Sequence, residues 1–125
     1  MYQYYFEKLE IWQIAREYVN TSYKYTSKFP PEEKYGLGNQ IQRAAVSVPS
    51  NIAEGVSRKN PREQQRFLEI SFASLMETLS QWHNAKDLDY IDSDDMNNIR
   101  CSIDELSNKL NAFSRSVEQR IHPHS

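Results

Sequence analysis

Apolar positions recur along this chain with helical spacing in four stretches, separated by short breaks rich in proline, serine, asparagine or aspartate. The first stretch runs from about Glu7 to Lys28. Leu9, Ile11, Trp12, Ile14, Ala15, Tyr18, Val19 and Tyr25 give it a broad apolar face. It stops at Phe29-Pro30-Pro31, because Pro30 disfavours helix at the residue before it and Pro31 suits the first turn of the next helix.

The second helix is expected from about Pro31 to Val56, with Ile41, Ala44, Ala45, Val48 and Ile52 as its stripe and Gly36-Leu37-Gly38 loosening its first turns. The third has a start signal: Asn60 as N-cap, Pro61 at N1 and Glu63 at N3 to close a capping box. From there Leu68, Phe72, Leu75, Leu79 and Trp82 alternate in steps of four and three, an a/d seam that continues to about Tyr90. The fourth opens at Asp92 or Ser93, and Asp94 and Asp95 complement the helix dipole. Met96, Ile99, Ile103, Leu106, Leu110, Phe113 and Val117 make it the most regular of the four.

Four long helices with short links predict an all-α, antiparallel up-down-up-down four-helix bundle. With 125 residues the chain holds one core, so residues 1–121 are read as a single domain and 122–125 as a flexible tail. The 38% apolar and 26% charged content is that of a globular protein.

The stretch QIQRAAVSVPSNIAEG departs from the plain amphipathic pattern. Pro49 sits in a helix interior, where it deletes an N–H and displaces the carbonyl of Ala45, so helix two is expected to kink there. Arg43, Ser47, Ser50, Glu54 and Arg58 fall in one row with Asn51 beside it, apart from the apolar row. Ser47, Ser50 and Asn51 are placed to hydrogen-bond freed backbone groups. Helix three carries a matching row, Ser71, Ser74 and Thr78, with Glu77 alongside. Two readings stay open: a buried polar seam, with Arg43 or Arg58 paired to Glu54 or Glu77, that sets helix register or a subunit contact, and a ligand or nucleic-acid site.

Charge and chemistry narrow the functional classes. The net charge of -2 offers no global field for nucleic acid or anionic membrane. Residues 1–60 carry a net +2 and residues 61–125 a net -4, and one basic cluster, Arg58, Lys59, Arg62 and Arg66, lies around the link between helices two and three. It reads either as a solvated loop or as a phosphate-contacting patch. Cys101 is the single cysteine, which fits a reducing, cytoplasmic setting. There is no signal pattern in MYQYYFEKLE and no apolar run long enough to span a membrane. The Glu-x-x-His pairs of a di-iron bundle are absent, His83 and Asp87 are a weak pair, and Gly36-Leu37-Gly38 lacks the lysine of a phosphate loop. No metal, cofactor or catalytic site is therefore assigned. Six of the eight tyrosines fall in the first 25 residues; Tyr2, Tyr4 and Tyr5, with Phe6, precede the helix and are hard to bury in one small bundle, which points to rim packing or a subunit interface.

The runs FEKLEIWQIARE, FPPEEKYGLGNQIQRAAVSVPSNIAEGVSR and FLEISFASLMETLSQWHNAKDLDYI resemble the four-helix-bundle family of 23S rRNA intervening-sequence proteins over roughly residues 6–91. The resemblance implies a bacterial homopentameric ring with no enzymatic activity established. It also implies a kinship with retroelement accessory proteins, in which a basic ring binds nucleic acid and the reverse transcriptase. The motif positions carried over are Arg43, Ser47, Pro49, Asn51, Glu54, Gly55, Arg58, Phe67, Ser74 and Glu77. Two departures remove positive charge: Phe72-Ala73-Ser74 lacks the arginine of an ARGS-like run, and Lys86-Asp87-Leu88-Asp89-Tyr90 stands where relatives often have RRLGY. The expectation is a non-enzymatic homo-oligomer, a pentamer, that binds structured RNA or DNA; the alternative is an assembly module with no nucleic-acid role.

Overall fold

The computed structural model describes residues 1–123 and is all-α. A 3-10 turn, Tyr5–Lys8, leads into α1 (Glu10–Thr26); a second 3-10 turn, Pro31–Glu33, precedes α2 (Leu37–Val56); α3 (Pro61–Asp87) and α4 (Ser93–Ile121) follow. His124 and Ser125, part of the expected tail, lie outside the described residues.

Side-chain partners fix the helix directions. Along α1 and α4, Glu10 meets Lys109, Tyr25 meets Asn98 and Lys28 meets Asp95, so the two run antiparallel. Ser47 meets Ser74, Val48 meets Ser71 and Gly55 meets Phe67, which makes α2 and α3 antiparallel too. Gln64 meets Arg120 and Gln65 meets Ser114 where α3 begins and α4 ends. Each helix packs on its sequence neighbours and α4 closes on α1, giving the up-down-up-down bundle.

Helix two starts six residues later than the pattern predicts. Pro31–Glu33 forms only a 3-10 turn, and Gly36, at the N-cap, has no side chain to cap with. Glu33 does it instead, its Oε2 accepting from the Leu37 amide at 2.8 Å. The start of α3 is corrected in detail. Asn60 accepts from the Arg62 amide at 2.8 Å, so the N-cap is present, but Glu63 does not complete a box. At α4 both halves of a capping box form between Asp92 and Asp95. The end of α3 is a Schellman motif: Tyr90 N–H bonds Ala85 O, Asp89 N–H bonds Lys86 O, and Asp89 sits at φ 61. That position favours glycine.

The α3 core stripe also differs from the expected seam. Gln64, Leu68, Ser71, Leu75, Thr78, Trp82 and Ala85 are buried, while Phe72 and Leu79 are half-buried on its flank. Small hydroxyl residues hold two core positions, Ser71 against the backbone of α2 and Thr78 against Tyr18 of α1. Each hydroxyl is satisfied: Ser71 Oγ donates to Val48 O at 2.8 Å, and Thr78 Oγ1 to Leu75 O at 2.6 Å. On α4 five of the seven predicted positions, Ile99, Ile103, Leu106, Leu110 and Val117, are buried, while Met96 and Phe113 are half-buried against the core. Tyr18 and Trp82 anchor the centre, the Tyr18 hydroxyl accepting from Trp82 Nε1 at 3.0 Å and bonding Thr78 Oγ1 at 2.7 Å.

Candidate functional site

Helical structure continues through Pro49, and the polar row around it has a structural task. Ser50 Oγ donates to Val46 O at 2.9 Å, Asn51 Nδ2 to Ser47 O at 2.8 Å, and Ser71 donates to Val48 O from the facing helix. Three carbonyls just before the proline thus take side-chain donors as well. Ser47 turns outward from the backbone and bonds Ser74 across the helix pair at 2.9 Å, while Asn51 also reaches Ser47 Oγ at 2.9 Å. Gly55 closes the contact: a Cβ there would lie 2.8 Å from the Cβ of Phe67 and 3.3 Å from the Gln64 carbonyl oxygen. The motif's serines, proline, asparagine and glycine therefore set how closely α2 approaches α3.

The charged members of the row behave differently. Ser47, Asn51 and Ser74 are half-buried, but Arg43, Ser50, Glu54 and Glu77 are exposed. The expected buried arginine–glutamate pair is corrected to a surface one. Arg58 meets Glu54 at 3.0 Å with both side chains about half exposed, and charges this wet gain little from pairing. Among the described residues no carboxylate lies within ion-pair distance of Arg43. Arg43 and Glu77 instead flank an open groove of about 660 Å³ between α2 and α3, lined also by Tyr35, Asn39, Gln40, Ser47, Ser74 and Gln81. The Oε1 of Gln81 is sealed from solvent there without a hydrogen-bond partner.

The basic cluster lies at the end of the bundle where α2 passes to α3. Arg58, Lys59, Arg62 and Arg66 are all exposed. Phe67 sits between two of them, with the Arg58 guanidinium 5.0 Å and the Arg66 guanidinium 5.2 Å from its ring centre. The fold adds a residue that spacing could not reveal: Arg120, near the end of α4, donates to Gln64 Oε1 at 2.8 Å and joins the cluster. The opposite end carries Asp87, Asp89, Asp92, Asp94 and Asp95, with Glu33 held beside them by the Tyr90 hydroxyl at 3.2 Å. The two ends thus differ in their named charges, although Lys28 and Lys86 stand among the aspartates of the second.

Groups with displaced pKa values lie outside the groove. Burial pushes Tyr18 up despite its hydrogen bonds to Thr78, Trp82 and Ser22. Tyr90 is raised by burial and by the Glu33 carboxylate beside it. Burial alone would raise Asp95, but the Asp92 amide and the Lys28 ammonium overcome it and hold the carboxyl low. Lys109 is raised by its hydrogen bond to Glu10. His83 is exposed, and among the described residues no three His, Cys, Asp or Glu side chains gather as a metal cradle. No helix there is long and apolar enough to cross a membrane.

The N-terminal aromatics divide. Phe6 is half-buried edge-on to Trp12 at 5.0 Å, whereas Tyr2, Tyr4 and Tyr5 stay 76%, 61% and 59% exposed.

Compared with known proteins, residues 7–112 match the family model described as 23S rRNA-intervening sequence protein. No curated protein matches the chain.

Proposed function

This chain belongs to the 23S rRNA-intervening sequence protein family, and from that premise we propose that it works as a non-enzymatic homopentamer that binds structured RNA or other nucleic acid in the bacterial cytoplasm. The observation that carries the reading is the basic end: Arg58, Lys59, Arg62 and Arg66 exposed together, with Arg120 beside them, on a protein of net negative charge. In a ring this end repeats around the axis. Copies too weak alone then act together on one polyanion.

Fluorescence anisotropy tests this with a structured RNA and a DNA duplex at low and near-physiological salt. If four phosphates are contacted per site, log K falls against log salt with a slope of about -3 to -4. An Arg58→Glu/Arg62→Glu variant loses the binding and flattens the slope. Absence of binding at both salts, with the oligomer intact, removes nucleic acid from the account.

A second reading, an assembly module with no nucleic-acid role, is favoured by the Arg58–Glu54 pair, which already neutralises part of the basic end. It predicts partner binding that survives the same double reversal.

A further inference from the structure

We propose that the groove between α2 and α3 seats the tyrosine-rich N-terminal segment, Tyr2 to Tyr5, of a second copy of this chain. The proposal deepens the oligomeric part of the reading above and rests on it.

Two surfaces of the molecule are incomplete in complementary ways. On the groove side, Gln81 presents a buried acceptor oxygen with no donor. Native proteins rarely leave such an atom unmatched. Arg43 lines the same groove with no carboxylate within ion-pair distance among the described residues, and Glu77 stands exposed across it with no cation in reach. On the segment side, three tyrosines are mostly exposed. They are nevertheless held in shape: Tyr2 and Tyr4 stack edge to face at 4.9 Å, and Glu7 accepts from the Tyr4 amide at 2.8 Å. A surface ordered before it binds loses less entropy on binding.

The chemistries fit. A tyrosine hydroxyl supplies the donor that Gln81 Oε1 lacks once the Gln81 side chain, which lines the groove, turns its buried oxygen outward. A tyrosine ring face attracts the Arg43 guanidinium. Lys8, exposed and without an ion-pair partner among the described residues, follows directly in the chain and has the charge that Glu77 needs. The occupant is a second copy because segment and groove lie toward opposite ends of one bundle. The segment precedes α1, beside the C-terminal end of antiparallel α2, whereas the groove takes residues from Tyr35 to Ser47. A contact between two different surfaces is head-to-tail, and such contacts form a ring where the rotation between copies closes and an open filament where it does not.

The test is intermolecular photo-crosslinking with a Gln3→benzoylphenylalanine chain, which keeps every tyrosine. The unlabelled photoreactive chain is co-assembled with a nitrogen-15 chain, irradiated and digested, and each mixture is also sized by sedimentation. The expected result is an oligomer in which the light residue 3 is joined to heavy peptides spanning residues 35–47 or 74–81. An oligomer whose crosslinks fall elsewhere, or only within one copy, overturns the groove assignment and leaves the oligomeric reading standing. A single-chain mass overturns both. As a second arm, Lys8→Glu and Glu77→Lys each weaken assembly about tenfold, and the double exchange restores it. Loss in the single variants without rescue in the double contradicts the pairing, with circular dichroism confirming that each variant is folded.

Discussion

Around the core they share, the two sides of this bundle differ in what lines their contacts. α2 and α3 meet through hydroxyls, a proline and a glycine, closely enough that a methyl group at Gly55 would collide with Phe67. α1 and α4 meet through long side chains, Glu10 with Lys109 and Lys28 with Asp95, and between them lies a crevice of about 80 Å³ lined by Ile14, Tyr18, Thr21, Glu105 and others. Small uncharged residues let backbones approach and bury polar atoms without loss, because every hydroxyl finds a carbonyl or another hydroxyl at hydrogen-bond distance. Charges must keep their water and hold the helices apart. The family motif lies on the tight side, so its first task is geometric.

The largest expected effect follows from that closeness. Gly55→Leu overfills the α2/α3 contact and is expected to cost about 3 kcal/mol. Ala112→Leu, on the exposed face of α4, is expected to cost nothing measurable; urea unfolding of both variants checks the contrast. Equal losses would mean that Gly55 is no more crowded than an exposed helix position.

Tyr18→Phe comes next, at about 2 kcal/mol, because it strips Trp82 Nε1 and Thr78 Oγ1 of a buried partner across the core diagonal. Thermal unfolding is the readout, and an unchanged midpoint would show that the network carries no stability. In the opposite direction, Asp89→Gly is expected to stabilise by about 0.5–1 kcal/mol, since glycine takes the left-handed conformation at φ 61 freely.

A smaller effect lies in the pH dependence of the open side. The Asp95 carboxyl is held below its ordinary value of 3.8, so its contribution is complete above that pH and is lost as pH falls through the lower folded value. Urea midpoints measured from pH 5 to pH 2 should therefore fall less steeply in Asp95→Asn than in the parent. Smallest of all, Glu10→Gln removes a solvent-exposed pair and is expected to leave the midpoint unchanged.

Much of this contrast was written in the sequence, but not all of it. The α4 stripe is legible because every core position there is aliphatic. The α3 stripe is not, because Ser71 and Thr78 occupy buried positions while Phe72 and Leu79 advertise a seam one step away. Only the tertiary partners, Val48 of α2 for Ser71 and Tyr18 of α1 for Thr78, select between them, and no one-dimensional pattern contains those. Likewise Glu33, not a residue at the expected helix start, caps α2, because Gly36 offers no side chain. The polar row of QIQRAAVSVPSNIAEG was found by its spacing, but its side chains bond the carbonyls of Val46 and Ser47 rather than that of Ala45, the one Pro49 leaves without its helical donor. Its charges misled, since helical spacing places Arg43 and Glu77 on facing rows without saying that the groove between them stays open. Arg120 escaped for a simpler reason: it joins the basic cluster only once α4 folds back against α3.

The nucleic-acid reading and the groove assignment both require that copies of this chain assemble. Sedimentation velocity of the purified protein at micromolar concentration and near-physiological salt tests that requirement most directly. The account predicts one dominant species with the mass of a pentamer, held by the tyrosine contacts and loosened by added salt only to the extent that the exposed Lys8–Glu77 pair contributes. A single species with the mass of one chain would contradict the account. It would leave the four-helix bundle as a monomer with an open groove and a basic end.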